Sequence, residues 1–268
     1  MLPTGWYPAT ESEVRAQCRA WADEGTERRF VSAVVPHAGW FFSGSLAFRT
    51  LSAMLPAPDT VVVAGGHLGP SDPVMIAPED QLSTPLGLLT VDRELSDRLK
   101  RALRAIDDRH PDNTVEIQLP FVAYLFPSAS VVYVRVPPSP DAIHLGETLA
   151  QYARSTGRQI RVIGSTDLTH YGPNYGFVEH GRGAKAVEWV RDANDAPLIE
   201  TMLSMNDVGA ISQALRDRSA CSPGAAATAI AFARESGCVR GEEVDYYTSY
   251  SIQPAESFVG YAGIGFAA

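Results

Sequence analysis

Val34-Val35-Pro36-His37-Ala38-Gly39-Trp40-Phe41-Phe42-Ser43-Gly44 decides how the rest of this sequence is read. The run Phe30 to Val35 is apolar and β-branched, the pattern of a buried strand. A proline ends it, a histidine follows at once, and two glycines bracket an aromatic cluster before a helical segment from Leu46 to Leu55. A strand that ends in a polar, coordinating side chain is where open α/β sheets hold their ligands.

The same grammar recurs. Thr60 to Ala64 reads as a second buried strand and delivers Gly65-Gly66-His67-Leu68-Gly69-Pro70-Ser71. Two histidines at the carboxyl ends of successive hydrophobic strands would meet if those strands lay side by side. Each, taken singly, can equally be a capping or hydrogen-bonding residue. Ser130 to Val136 and Gln159 to Gly164 read as two more strands, and the second delivers Ser165-Thr166-Asp167-Leu168-Thr169-His170-Tyr171-Gly172. Asp167 and His170 are three apart, so one helical turn would set them on the same side, as a metal site or an acid/base relay. The alternative is an Asx-turn with His170 bonded to backbone. Cys221 stands at the mouth of an Ala-rich helix over Ala225 to Arg234, where the helix N-terminus favours thiolate. The alternative there is a small buried hydrophobe.

Between these units, the pattern predicts a first helix from Ser12 to Trp21 and a hairpin or edge strand over Pro85 to Val91. Asp92 caps a helix over Arg93 to Ala105, and Asn113 or Thr114 caps a short one carrying Glu116. Helices follow over Asp141 to Ser155, His180 to Val190, Asp195 to Leu203 and Asn206 to Leu215, and two late, paired strands over Val244 to Ile252 and Ser257 to Phe266. His110 and His180 read as solvated and His144 as a surface or first-turn residue, while Trp40, Phe41 and Tyr171 read as walls of a cleft or, more often for aromatics beside glycine, as packing.

The 268 residues show no linker, low-complexity run or fixed-period repeat, so residues 1–268 are expected to form one domain. A hydrophobic content of 45% supports a large core. The net charge of −9, without a Lys/Arg cluster, argues against nucleic acid as a partner. No apolar run reaches the length of a bilayer span and the N-terminus is not a signal peptide, so a cytoplasmic location is expected. Three cysteines, at 18, 221 and 238, form neither a disulfide framework nor a zinc knuckle.

The motifs PHAGW (36–40), GGHLGP-S (65–71), VEIQLPF (115–121), GSTDLTHYG (164–172), the Cys221 segment and FVGYAGI (258–264) together resemble the MEMO family, called AmmeMemoRadiSam system protein B in microbes. The resemblance implies a three-layer α/β/α fold with a central mixed sheet, akin to class III extradiol dioxygenases. It also implies a transition-metal site, iron or copper with zinc acceptable, on His37, His67 and Cys221, with Asp167 and His170 as adjacent catalytic groups. A metal-dependent redox enzyme of unknown substrate is the activity it implies. The alternative is a scaffold that uses the same cleft for a peptide or a partner protein. A radical SAM protein and an AMMECR1-like protein are the partners it implies. The sequence departs from the family pattern at Asn113, where a histidine is usual. An amide does not shuttle protons near neutral pH as imidazole does, so ring opening of aromatic diols is not expected.

Overall fold

The computed structural model describes residues 2, 5–22, 27–110 and 112–268. Met1, Pro3 and Thr4 of the N-terminal arm and Pro111 beside His110 lie outside the described residues. The strands are, in chain order, β1 (Phe30–Val35), β2 (Thr60–Gly65), β3 (Met75–Ile76), β4 (Gln81–Thr84), β5 (Gly87–Thr90) and β6 (Ile106–Asp107). They continue with β7 (Ser130–Arg135), β8 (Ile160–Ser165), β9 (His170–Tyr171), β10 (Gly241–Thr248) and β11 (Phe258–Ala267).

The main sheet runs β10-β11-β1-β8-β2-β7-β3-β6, with β9 paired to β11. Its centre, β1-β8-β2-β7, is parallel. Antiparallel β11 and β10 close one side, and antiparallel β3 continues the other, so the sheet is mixed, as expected. β4 and β5 form a separate hairpin, as the hairpin reading of Pro85 to Val91 expected, with the turn at Pro85 and Leu86 and the second arm starting at Gly87. Among the described residues no helix is long and apolar enough to cross a membrane.

Helices cover both faces, which is why the central strands read as unbroken apolar runs rather than alternating ones. Val34, Val62, Val132 and Val162 pack with the helices Pro140–Thr156 and Pro223–Glu235. Ala33, Val61, Val63 and Ile163 pack with Glu11–Trp21, Ser45–Ser52 and Leu119–Leu125 on the other face. The helix after β1 is shorter than its periodicity suggests. A π-helical turn, Trp40–Gly44, leads into it, and Met54 and Leu55 have left it to bond along β1. The helical stretch predicted from His180 starts at Ala184 and passes through a π-helical turn, Val190–Asp195, into Ala196–Leu203 without a break. Residues 249–252, predicted as strand, are a helical turn, Ser249–Ile252.

Pro223–Glu235 is the Ala-rich helix, and two glycines let it approach closely. A Cβ on Gly146 would lie 2.5 Å from the Thr228 carbonyl oxygen and 2.7 Å from the Phe232 nitrogen. A Cβ on Gly164 of β8 would lie 2.5 Å from the Ala225 carbonyl oxygen. Both obstacles are backbone and cannot swing aside. Gly146→Ala is therefore expected to lower stability by about 1–3 kcal/mol, although alanine is the better helix former by roughly 1 kcal/mol. Urea midpoints of the two proteins check this, and an unchanged or raised midpoint contradicts it.

Candidate metal centre

Three parallel strands end at the same height, and each carries a polar residue two positions past its end: His37 after β1, His67 after β2 and Asp167 after β8. The two histidine strands are not neighbours, contrary to the expectation of adjacent strands. β8 lies between them. The imidazoles still meet, because β8 finishes in Gly164 and the buried Ser165 and presents little bulk between them. His37 Nε2 and His67 Nε2 are 3.2 Å apart, with the rings nearly perpendicular at 76°.

Cys221 arrives from the start of Pro223–Glu235. Its N–H donates to the Asp167 carbonyl at 3.2 Å, and the Ser222 N–H donates to Thr166 Oγ1 at 3.0 Å. These bonds set Cys221 Sγ 3.2 Å from His37 Nε2. The donor atoms of His37, His67 and Cys221 all lie within 4.8 Å of one another. Around one ion with metal–nitrogen bonds near 2.0–2.1 Å and a metal–sulfur bond near 2.3 Å, tetrahedral ligand atoms sit about 3.3–3.6 Å apart. The two contacts of His37, both 3.2 Å, are close to that spacing. Two imidazoles and a thiol are also a donor set that first-row transition metals accept.

His37 is the anchored member. Its N–H donates to Asp167 Oδ1 at 2.7 Å, and the Ala38 N–H donates to the same oxygen at 3.2 Å. The ring makes a backbone hydrogen bond to Ser165, with Nδ1 also 3.4 Å from Ser165 Oγ. A ring that donates through Nδ1 keeps the Nε2 lone pair for the centre. Gln118 Nε2 steadies this corner by donating to the Pro36 carbonyl at 2.8 Å and to Ser165 Oγ at 3.0 Å.

Burial dominates the electrostatics. It brings the His37 imidazole down to about 4, against a weaker upward pull from its bond to Ser165. His67 is lowered first by desolvation and then by His37. Burial, with Asp167 second, pushes the Cys221 thiol up to about 12. The thiolate expected from a helix N-terminus is thus not favoured in the metal-free protein, because the helix begins two residues later and does not offset desolvation. Asp167 is raised by burial, opposed by His170 and by its two backbone donors.

Asp167 and His170 both line a cavity of about 370 Å³ beside the three donors, but not on a helical turn. The segment is extended, since the Leu168 N–H donates to the Gly260 carbonyl and the Gly260 N–H to the Thr169 carbonyl, at 2.9 and 3.0 Å. His170 has the backbone bond weighed against a site role: Nδ1 lies 3.1 Å from the Leu168 carbonyl oxygen. A carbonyl only accepts, so Nδ1 carries the proton and Nε2 is left as an acceptor. Asn113 lines the same cavity.

Of the aromatics read as cleft walls or packing, none lines the cavity, and Trp40 and Tyr171 are packing residues. Trp40 is buried and stacks on Phe121 with centroids 4.1 Å apart, Tyr171 is buried and donates to the Gly181 carbonyl, and Phe41 faces solvent. Trp6, Phe42, Tyr175 and Tyr261 line the cavity instead. His110, His144 and His180 are exposed, as expected, the last stacked on Trp189 at 3.5 Å. The short helix Asn113–Glu116 is capped by Asp112, not by Asn113 or Thr114, and Glu116 turns away to accept from the Tyr7 hydroxyl. Sequence reasoning passed over Gln118 and Ser165. Gln118 sits inside the VEIQLPF run and Ser165 inside GSTDLTHYG, but nothing in either motif signals that the two bond to each other beneath His37.

Comparison with known proteins identifies the family of the chain. The family profile described as Memo-like protein matches residues 4–265. A MEMO1 family protein of Thermococcus kodakarensis is 33% identical over 97% of this chain and 96% of its own length. MEMO1 family proteins of Thermococcus onnurineus and Archaeoglobus fulgidus are 32% and 30% identical, each over 97% of this chain and 96% of their own lengths. A crystal structure of the uncharacterized protein JW3007 from Escherichia coli K12 aligns with a TM-score of 0.46 at 13% identity, over 88% of this chain and 100% of that one. A chain matched from residue 4 to residue 265, with curated relatives aligned along almost their entire lengths, belongs to the Memo-like protein family.

Proposed function

We propose that this chain is a metal-dependent redox enzyme that holds one first-row transition-metal ion on His37 Nε2, His67 Nε2 and Cys221 Sγ. The observation that carries the reading is convergence: three donors from separate parts of the chain fall within 4.8 Å of one another beside a cavity. Iron and copper are the metals the family resemblance implies, and zinc suits the same donors. The ion would supply Lewis-acid and redox chemistry at coordination positions left open by three protein ligands.

The chain's own residues then divide the remaining work. Asp167 holds the His37 backbone in place and faces the ring across 3.9 Å from Oδ2 to Nε2. His170, with Nδ1 committed to Leu168, is the group able to take a proton from a substrate in the cavity. Asn113 offers an amide to the same space for orientation. Among the described residues no Lys or Arg lines the cavity, whereas capture of an anionic peptide would call for one. The nearby Arg135 is committed to Asp108 and Asp112.

Cysteine substitution tests the donor set. Cys221→Ser is expected to weaken metal retention by at least about 10–100-fold, while Cys18→Ser and Cys238→Ser, both buried away from the cluster, keep wild-type stoichiometry. Elemental analysis after passage over a chelating resin measures all three. Identical behaviour would make Cys221 a packing residue.

A further inference from the structure

We infer that Thr114 is a positioning residue for the His67 ligand. This rests on the metal-site reading above. His67 is the least supported of the three donors. It is exposed, and among the described residues the contact of its side chain is the one to His37 Nε2. Its place must therefore come from its backbone, which is held by the Val136 N–H on the Gly65 carbonyl and, at Gly66 next to the ligand, by one hydroxyl.

Gly66 has φ +110°, a conformation that side-chain-bearing residues rarely adopt. Its N–H donates to Thr114 Oγ1 at 2.7 Å. The hydroxyl in turn donates to Asp112 Oδ1 in a short bond, so its single proton is committed and a lone pair is presented to Gly66. Asp112 Oδ1 also accepts from the Thr114 N–H at 2.9 Å, and Asp112 Oδ2 lies 3.3 Å from Arg135 Nη1. Arg135 closes the set with two bonds of 2.6 Å to Asp108. Every member is buried.

The fit leaves no slack. A Cβ on Gly65 would lie 2.3 Å from Thr114 Oγ1, and one on Gly66 would lie 2.9 Å from Arg135 Cβ. Both glycines are thus needed for the loop to rest on Thr114 and Arg135. The same capped turn puts Asn113 on the cavity wall, so one element serves the ligand loop and the substrate space together.

Thr114→Val keeps the shape and removes the acceptor, leaving a buried Gly66 N–H without a partner. Titration with Co²⁺, followed by absorption, is the test. Thr114→Val is expected to bind Co²⁺ about 10–100-fold more weakly. The sulfur-to-cobalt band should persist, because Cys221 is untouched, while the ligand-field bands shift as His67 is lost. Thr114→Ser, which restores the hydroxyl, should recover wild-type affinity. Gly66→Ala displaces the same loop and should reproduce the loss if Thr114→Val does not fold. Wild-type affinity and spectrum in Thr114→Val, or in Gly66→Ala where the former is not obtained, overturn the inference. Failure of the wild-type protein to bind Co²⁺ overturns the metal-site reading itself, a different result.

Discussion

Protein purified anaerobically without a metal-affinity column is expected to carry about one first-row metal ion per chain, and the His37→Ala, His67→Ala double variant none. Structural Zn²⁺ sites in zinc-finger peptides bind with about 10–16 kcal/mol, which sets the scale for a Cys/His donor set. Two of three donors go in the double variant. If the donors contribute comparably, roughly two thirds of that energy goes with them, more than about four orders of magnitude in Kd at 1.4 kcal/mol per decade. Cys221 alone would then have to deprotonate against its burial and hold the ion unaided. The fold should survive, since the bond from residue 37 to Asp167 uses the backbone N–H and not the ring. Elemental analysis and a thermal melt on the same samples separate loss of metal from loss of structure. Equal metal in a folded double variant ends the proposal.

Asp195→Asn is expected to remove a pH dependence of stability. The Asp195 carboxyl is fully buried and accepts from the Thr169 N–H, the Thr169 hydroxyl and the Tyr246 hydroxyl at 3.1, 2.5 and 2.8 Å. Burial nevertheless raises it to about 7 from an ordinary 3.8, outweighing those bonds. The folded state therefore binds a proton that the unfolded state has lost between about pH 4 and pH 7. Stability contributed by this group is present below that window and declines as pH rises through it. A shift of that size corresponds to roughly 4 kcal/mol. Denaturant midpoints from pH 4.5 to pH 8 should show the Asn variant gaining on wild type as pH increases. Parallel curves for the two proteins would mean that Asp195 is ionised throughout.

The part of this arrangement that depends on composition and local period was legible. Unbroken apolar runs announced strands covered on both faces, and glycine-flanked histidines marked where two of them stop. The order of strands was not legible. Nothing in Thr60 to Gly65 says that Ile160–Ser165 will insert beside it, because that choice is made by pairing over about a hundred residues. The helical-turn reading of the Asp167 segment fails for the same reason, while the backbone bond of His170 weighed against it is present. A three-residue spacing fits a helical turn, but bonds to Gly260 draw the chain out straight. At Asp112, Asn113 and Thr114 three capping residues stand in a row, and local chemistry does not choose among them. The choice comes from Arg135 and Gly66, which reward a carboxylate at the first position and a hydroxyl at the third.

The insertion of β8 between β1 and β2 has a consequence for assembly. Both imidazoles leave the ribosome early, yet the wedge that spaces them is made more than ninety residues after the second, and the sulfur later still. A chain that stops short of β8 therefore lacks the strand against which the two histidine strands are placed. Under the proposed function, an ion would load only once the middle of the chain is in place.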